Sequence, residues 1–219
     1  MTIIGDFRRQ VFACVCSGIP VTHLIPLQKG FDRLVSDGKD AHSANPNITK
    51  SQQGRLDNCA TCSSIQNRCE KSFLCVDCDA WSKSMDGWIL GCVKPSVDLM
   101  LLCEKGDSAS WVFVEGKLGG ALFNENKIPR HPTQLGIVHK YDSSCERLAR
   151  SCGRNPMPFA VDRELHLIVS SNTYQQMRNR VARWNKSDKS HFIVCQCPAM
   201  FLDELSIPHT QIACAEMED

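Results

Sequence analysis

Leu27, Phe31, Leu34 and Val35 recur at steps of three and four, the spacing of one helical face. They predict a short amphipathic helix over 26–36, which Gly38 can end. Upstream, residues 2–4 and 11–16 are apolar and β-prone, with a break at Pro20. The polar stretch 37–56 predicts an exposed loop. From residue 88 the pattern turns β-rich. Runs at 88–93, 97–104 and 111–118 predict three strands, and Gly106, Asp107 and Ser108 predict a hairpin turn between the last two. Val138, Tyr141, Cys145, Leu148 and Cys152 then form one helical apolar stripe, with Pro132 suited to its first turn and Gly153 to its stop. Residues 165–169 read as a buried strand. Asn172 or Thr173 can cap a further helix whose inner face is Tyr174, Met177, Val181 and Trp184, and 192–197 reads as a last strand. The order β-β-β-α-β-α-β predicts an α/β fold, a mixed central sheet flanked by helices.

Charge interrupts this pattern at the ends of the hairpin. Most other residues of these strands are apolar, as in strands covered on both faces. Asp98 opens one, and Glu115 and Lys117 close the other. Residues two apart on a strand share a face, so Glu115 and Lys117 point the same way. With a loop over 105–110, Asp98 falls opposite Lys117 and Met100 opposite Glu115, so that all three charged residues gather on one face. A slip of one residue would break the cluster. Two converging carboxylates make a hard-oxygen site suited to Mg²⁺ or Mn²⁺, which can polarise a scissile phosphate and activate a water. Lys117 can orient that water or offset developing charge. Gly116, between them, leaves the opposite face open to close approach.

Pro95-Ser96-Val97-Asp98, a strand and turn, then Glu115-Gly116-Lys117, resembles the PD-(D/E)xK nuclease superfamily over about 80 residues, although Pro95 and Asp98 are not adjacent. The resemblance implies a restriction-endonuclease-like core, with Asp98 and Glu115 holding Mg²⁺ (or Mn²⁺) and Lys117 assisting the attacking water. Many members place a further polar residue on the following helix, and Gln134 lies on the stripe of Val138 and Tyr141. Members often add an acid from the first helix; Asp32 and Glu70 both remain open. The implied activity is phosphodiester hydrolysis in nucleic acid, DNA ahead of RNA, often by a homodimer.

The chain has 14 cysteines among 219 residues. Cys59 and Cys62, and Cys75 and Cys78, form two C-x-x-C pairs twelve residues apart, a pattern that can hold structural zinc. An iron–sulfur cluster, or plain packing along a helix, are the other readings. Cys14 and Cys16, and Cys195 and Cys197, would share strand faces; a second metal site across the sheet is one reading and core packing the simpler one. Trp81, Trp88, Trp111 and Trp184 read as core. The net charge of +1 names no partner. A local basic face does exist: Arg178, Arg180, Arg183 and Lys186 on the later helix, with Arg147, Arg150 and Arg154 as neighbours, could track phosphates.

The predicted organisation is an N-terminal extension over 1–56, a cysteine-rich zinc-knuckle insertion over 57–80 and a nuclease core over 81–219. No stretch is long and apolar enough for a membrane span and the first residues do not read as a signal peptide, so a cytoplasmic enzyme is expected. The competing expectation is a non-catalytic zinc-containing module that binds nucleic acid or protein.

Overall fold

Strands that are apolar on both faces must be covered on both. The hairpin at the centre of this molecule meets that demand. A computed structural model describes residues 2–34, 67–69, 73–89, 93–117, 136–169, 171–187, 191–195, 201 and 209–211. In chain order the elements are β1 (Thr2–Ile3), α1 (Phe7–Cys16), β2 (Leu24–Pro26), α2 (27–34), β3 (Asn67–Cys69), β4 (Leu74–Asp77), α3 (Cys78–Ile89), β5 (Leu99–Lys105), β6 (Ser108–Lys117), α4 (Ile137–Ser151), β7 (Ala160–Val169), α5 (Ser171–Ser187), β8 (His191–Cys195) and β9 (His209–Gln211).

The main sheet runs β2-β4-β5-β6-β7-β8, with β1 beside the far end of β5. Its first half is antiparallel; β6, β7 and β8 are parallel and joined through α4 and α5. This is the expected α/β architecture with a mixed sheet flanked by helices. The described parts of 1–56, 57–80 and 81–219 all contribute strands to this one sheet: β1 and β2, then β4, then β5 to β8. β3 and β9 form a separate pair.

Met100, Leu102, Trp111 and Phe113 face one side of the sheet, where α1, α3, α4 and α5 deliver Ala13, Trp81, Leu148, Met177 and Trp184. Leu99, Leu101, Val112 and Val114 face the other, where Leu27, Phe31 and Leu34 of α2 and the ring of Phe201 cover them. No described helix is long and apolar enough to cross a membrane.

Several elements differ from the expected ones. Residues 11–16 are helical, not extended. Asp6 caps α1 by accepting from the Arg8 N–H at 2.9 Å, and Gln10, Ala13 and Cys14 bury one helical stripe. Trp88 and Ile89, read as the start of a strand, end helix α3, while 90–92 lie outside the described residues. Asp77 caps α3, its Oδ1 accepting from the Ala80 N–H at 3.0 Å, and Cys78, Trp81, Ser82 and Asp86 are buried at helical spacing. The strand preceding β5 is therefore β4, and α3 rather than a tight turn connects them. The predicted loop at 37–56 lies outside the described residues.

The later helices follow the sequence closely. α5 buries Met177, Val181 and Trp184, with Tyr174 partly covered. α4 ends at Gly153 with φ +64°, the left-handed stop its position implied. Its buried stripe is wider than expected, taking in Ile137, Ser143, Ser144 and Arg147.

Candidate active site

The geometry of the hairpin decides whether its charged residues meet. The turn is only two residues long: Lys105 pairs with Ser108, and Gly106 takes φ +63°, which a side chain would resist. The register then pairs Leu99 with Val114. The next step along it brings Asp98 beside Glu115, not opposite Lys117 as the longer loop implied. The difference is two residues. Side chains alternate with period two, so an even shift leaves every residue on its expected face. Asp98, Glu115 and Lys117 consequently converge as the sequence predicted, through a different pairing.

Asp98 marks the point where the ladder ends. Its backbone N–H still donates to the Val114 carbonyl at 3.1 Å. Its carboxylate takes over from there, with Oδ2 accepting from the Gly116 N–H at 2.7 Å. Gly116 turns its bare side to α2: a β-carbon there would lie 3.1 Å from Leu34 Cδ2. On the same side Arg33 of α2 pairs with Asp77 and donates to the Asp98 carbonyl at 3.3 Å. The ends of β4 and β6 and the start of β5 are thus drawn together at one end of the sheet.

A fourth residue completes the cluster. Lys140, in the first turn of α4, donates to Glu115 Oε1 at 2.7 Å and lies 3.7 Å from Asp98 Oδ1. Lys117 donates to that same Glu115 oxygen. Lys140 is carried there by its neighbours. The Tyr141 ring packs edge-on against Phe113, two residues before Glu115 on β6, at 5.4 Å between centroids. The Tyr141 hydroxyl donates to the Asp162 carbonyl at 2.9 Å, and Ser144 Oγ accepts from the Val97 N–H at 3.1 Å. α4 is thereby fixed along β6, with its first turn over the carboxylates.

Burial gives these charges weight. The Glu115 side chain is fully buried, Asp98 is 16% exposed, and Lys117 and Lys140 are 21% and 26% exposed. Burial first, and then the negative charge of Glu115, push the Asp98 carboxyl up to about 7, against the pull of Lys140, the Gly116 N–H and Lys117. Burial works against the Lys140 ammonium, but Glu115 and Asp98 outweigh it and its pKa lies above the ordinary lysine value.

Glu115 Oε2 is buried and has no hydrogen-bond partner among the described residues. Lys117 and Lys140 both meet Glu115 through Oε1, so Oε2 remains a buried acceptor without a donor, next to a second carboxylate that resists ionisation. This donor set fits a hard divalent cation. Mg²⁺ is commonly held by one or two carboxylates, with water and substrate phosphate completing its shell. Among the described residues no group of three or more His, Cys, Asp or Glu side chains is placed to hold a metal.

The other predicted site residues fall elsewhere. Gln134 and Glu70 lie outside the described residues, and Asp32 is exposed and accepts from Gln28 at 2.9 Å. The residue that the helix after the hairpin brings to the carboxylates is Lys140. Its sequence signal was its place on a predicted helix, adjacent to the stripe residue Tyr141. Cys59 and Cys62 also lie outside the described residues. Cys75 and Cys78 are buried in different layers, Cys75 against α2 and Cys78 against the α3 side, because their spacing spans the end of β4 and the start of α3. Cys14 and Cys16 do not share a strand face, since both lie on helix α1. Arg178, Arg183 and Lys186 are exposed and Arg180 half-buried on α5. Arg147 does not join them. It is fully buried, pairing with Asp86 at 2.6 Å beneath Trp81, and Arg150 reaches the other Asp86 oxygen at 3.0 Å.

No family model, curated protein or solved structure matches this chain. The functional reading therefore rests on the geometry of the site.

Proposed function

We propose that the chain is a metal-dependent nuclease with a restriction-endonuclease-like core, hydrolysing phosphodiester bonds in nucleic acid, DNA ahead of RNA. The observation that carries this reading is the convergence of Asp98, Glu115 and Lys117 at one end of the sheet, with Glu115 Oε2 buried and unpaired. Sites in α/β sheets commonly lie at the carboxyl ends of parallel strands, and β6 and β7 both end here.

Asp98 and Glu115 would hold Mg²⁺ or Mn²⁺; when bound, the ion polarises the scissile phosphate and lowers the pKa of an attached water. Lys117, partly exposed at the rim, orients the attacking water and offsets charge that builds on the phosphate oxygens. The Gly116 N–H and Arg33 hold Asp98 in place through its side chain and its carbonyl. The basic face of α5 supplies sequence-independent affinity for the polyanion.

The test is plasmid nicking by purified protein with Mg²⁺ or Mn²⁺. Wild type nicks, and Lys117→Ala and Asp98→Ala lose nicking while keeping wild-type circular dichroism spectra. Equal nicking by folded variants and wild type refutes the assignment.

A further inference from the structure

Lys140 poses a question that the hydrolytic reading leaves open. A catalytic lysine is already present in Lys117, on the same strand as Glu115. The second ammonium comes from a different element, and it stands where a cation between the carboxylates would stand. Its Nζ is 2.7 Å from Glu115 Oε1 and 3.7 Å from Asp98 Oδ1, so one positive charge bridges the two acids.

We propose that Lys140 is a resident counter-ion of the metal site, holding Asp98 and Glu115 together in the metal-free protein and withdrawing when a divalent cation binds. This rests on the metal-dependent reading above and adds a switch to it. Three features favour the role. The bridge spans two elements, α4 and the β5–β6 hairpin, so it stabilises the site before any ion arrives. The lysine stem is long and flexible, and its 26% exposure gives the head group a path to water. The bridge also leaves Glu115 Oε2 without a hydrogen-bond partner among the described residues, so one buried carboxylate oxygen stays open to a ligand.

The consequence is competition. Two cations cannot both sit between the carboxylates without repulsion, so metal binding must offset the loss of the lysine contacts. Lys140→Gln removes that competitor and leaves an amide able to donate to Glu115. The direct readout is Mn²⁺ titration by calorimetry on wild type and K140Q, without nucleic acid. K140Q is expected to bind Mn²⁺ roughly tenfold or more tightly, the scale of one displaced ion pair in a partly buried site. Binding by K140Q where wild type shows none also supports the proposal. Equal or weaker binding by K140Q overturns it while leaving the metal-dependent reading intact. Absence of Mn²⁺ binding in both folded proteins removes the metal reading, and this proposal with it.

A second measurement needs no variant and stands if K140Q fails to fold. Acetic anhydride labelling of wild type, quantified at Lys140 by mass spectrometry, reports whether its amine is held or released. Labelling at Lys140 is expected to rise several-fold with saturating Mn²⁺, with exposed Lys94 as the internal reference. Unchanged or reduced labelling contradicts the proposal.

Discussion

Replacing Asp98 by Asn isolates the electrostatic cost of the site. Asn keeps an oxygen to accept from the Gly116 N–H but cannot ionise. In the folded protein the Asp98 carboxyl titrates at about 7, against an ordinary value of 3.8, first because of burial and then because of Glu115. Between roughly pH 4 and pH 7 the folded state therefore holds a proton that the unfolded state has released, and stability falls as pH rises. At about 1.4 kcal/mol per pH unit, the gap amounts to up to about 4 kcal/mol lost across that window, with no further loss above it. The assay is urea unfolding of wild type and Asp98→Asn in EDTA, at steps from pH 4 to pH 8. The variant should gain on wild type by up to about 4 kcal/mol as pH rises, because titrating groups distant from Asp98 cancel in the difference. Parallel curves, or a variant that loses ground as pH rises, would refute the reasoning.

Other consequences follow from the surrounding contacts. Asp86→Ala should cost about 3–5 kcal/mol in urea unfolding, because it leaves the fully buried Arg147 without its carboxylate; a loss under about 1 kcal/mol would mean the pair contributes little. Gly116→Ala should cost about 1 kcal/mol, since its β-carbon crowds the movable end of Leu34, and Gly116→Val should cost more; calorimetric melting compares the two, and equal stability of wild type and both variants would show that the close approach of α2 is unimportant. Arg178→Gln with Lys186→Gln should weaken DNA binding and lower the slope of log K against log salt by about 2, as measured by fluorescence anisotropy; an unchanged slope would remove α5 from the interface.

How much of this was legible depended on which physical signal each residue carried. The hairpin was readable because two apolar runs flank Gly106 and Asp107, and the site was readable because strand alternation depends only on parity. The sequence suggests a longer turn, yet the two-residue difference in register leaves Asp98, Glu115 and Lys117 on one face. The helix over 78–89 is hidden in the sequence, because the aromatic and aliphatic residues near Trp88 look β-prone while the capping Asp77 stands eleven residues earlier. The same cap and strand end separate Cys75 from Cys78, which spacing alone could not show. Residues 11–16 differ from their β-prone pattern for a similar reason: Asp6 and its cap outweigh the β-propensity of Val11 and Phe12. Arg147 looked like part of a basic surface because its partner, Asp86, is 61 residues away in sequence. Lys140 carries only a weak sequence signal, its place beside Tyr141: what aims it at Glu115 is the packing of Tyr141 on Phe113.

The central claim is that Asp98 and Glu115 hold a divalent cation. The most direct measurement is a crystal structure of the wild-type protein grown with Mn²⁺, with anomalous scattering recorded to locate the ion. The account predicts an anomalous peak between the Asp98 and Glu115 carboxylates, with Lys117 beside it. No peak at those carboxylates, with the Lys140 bridge intact at saturating Mn²⁺, would contradict it.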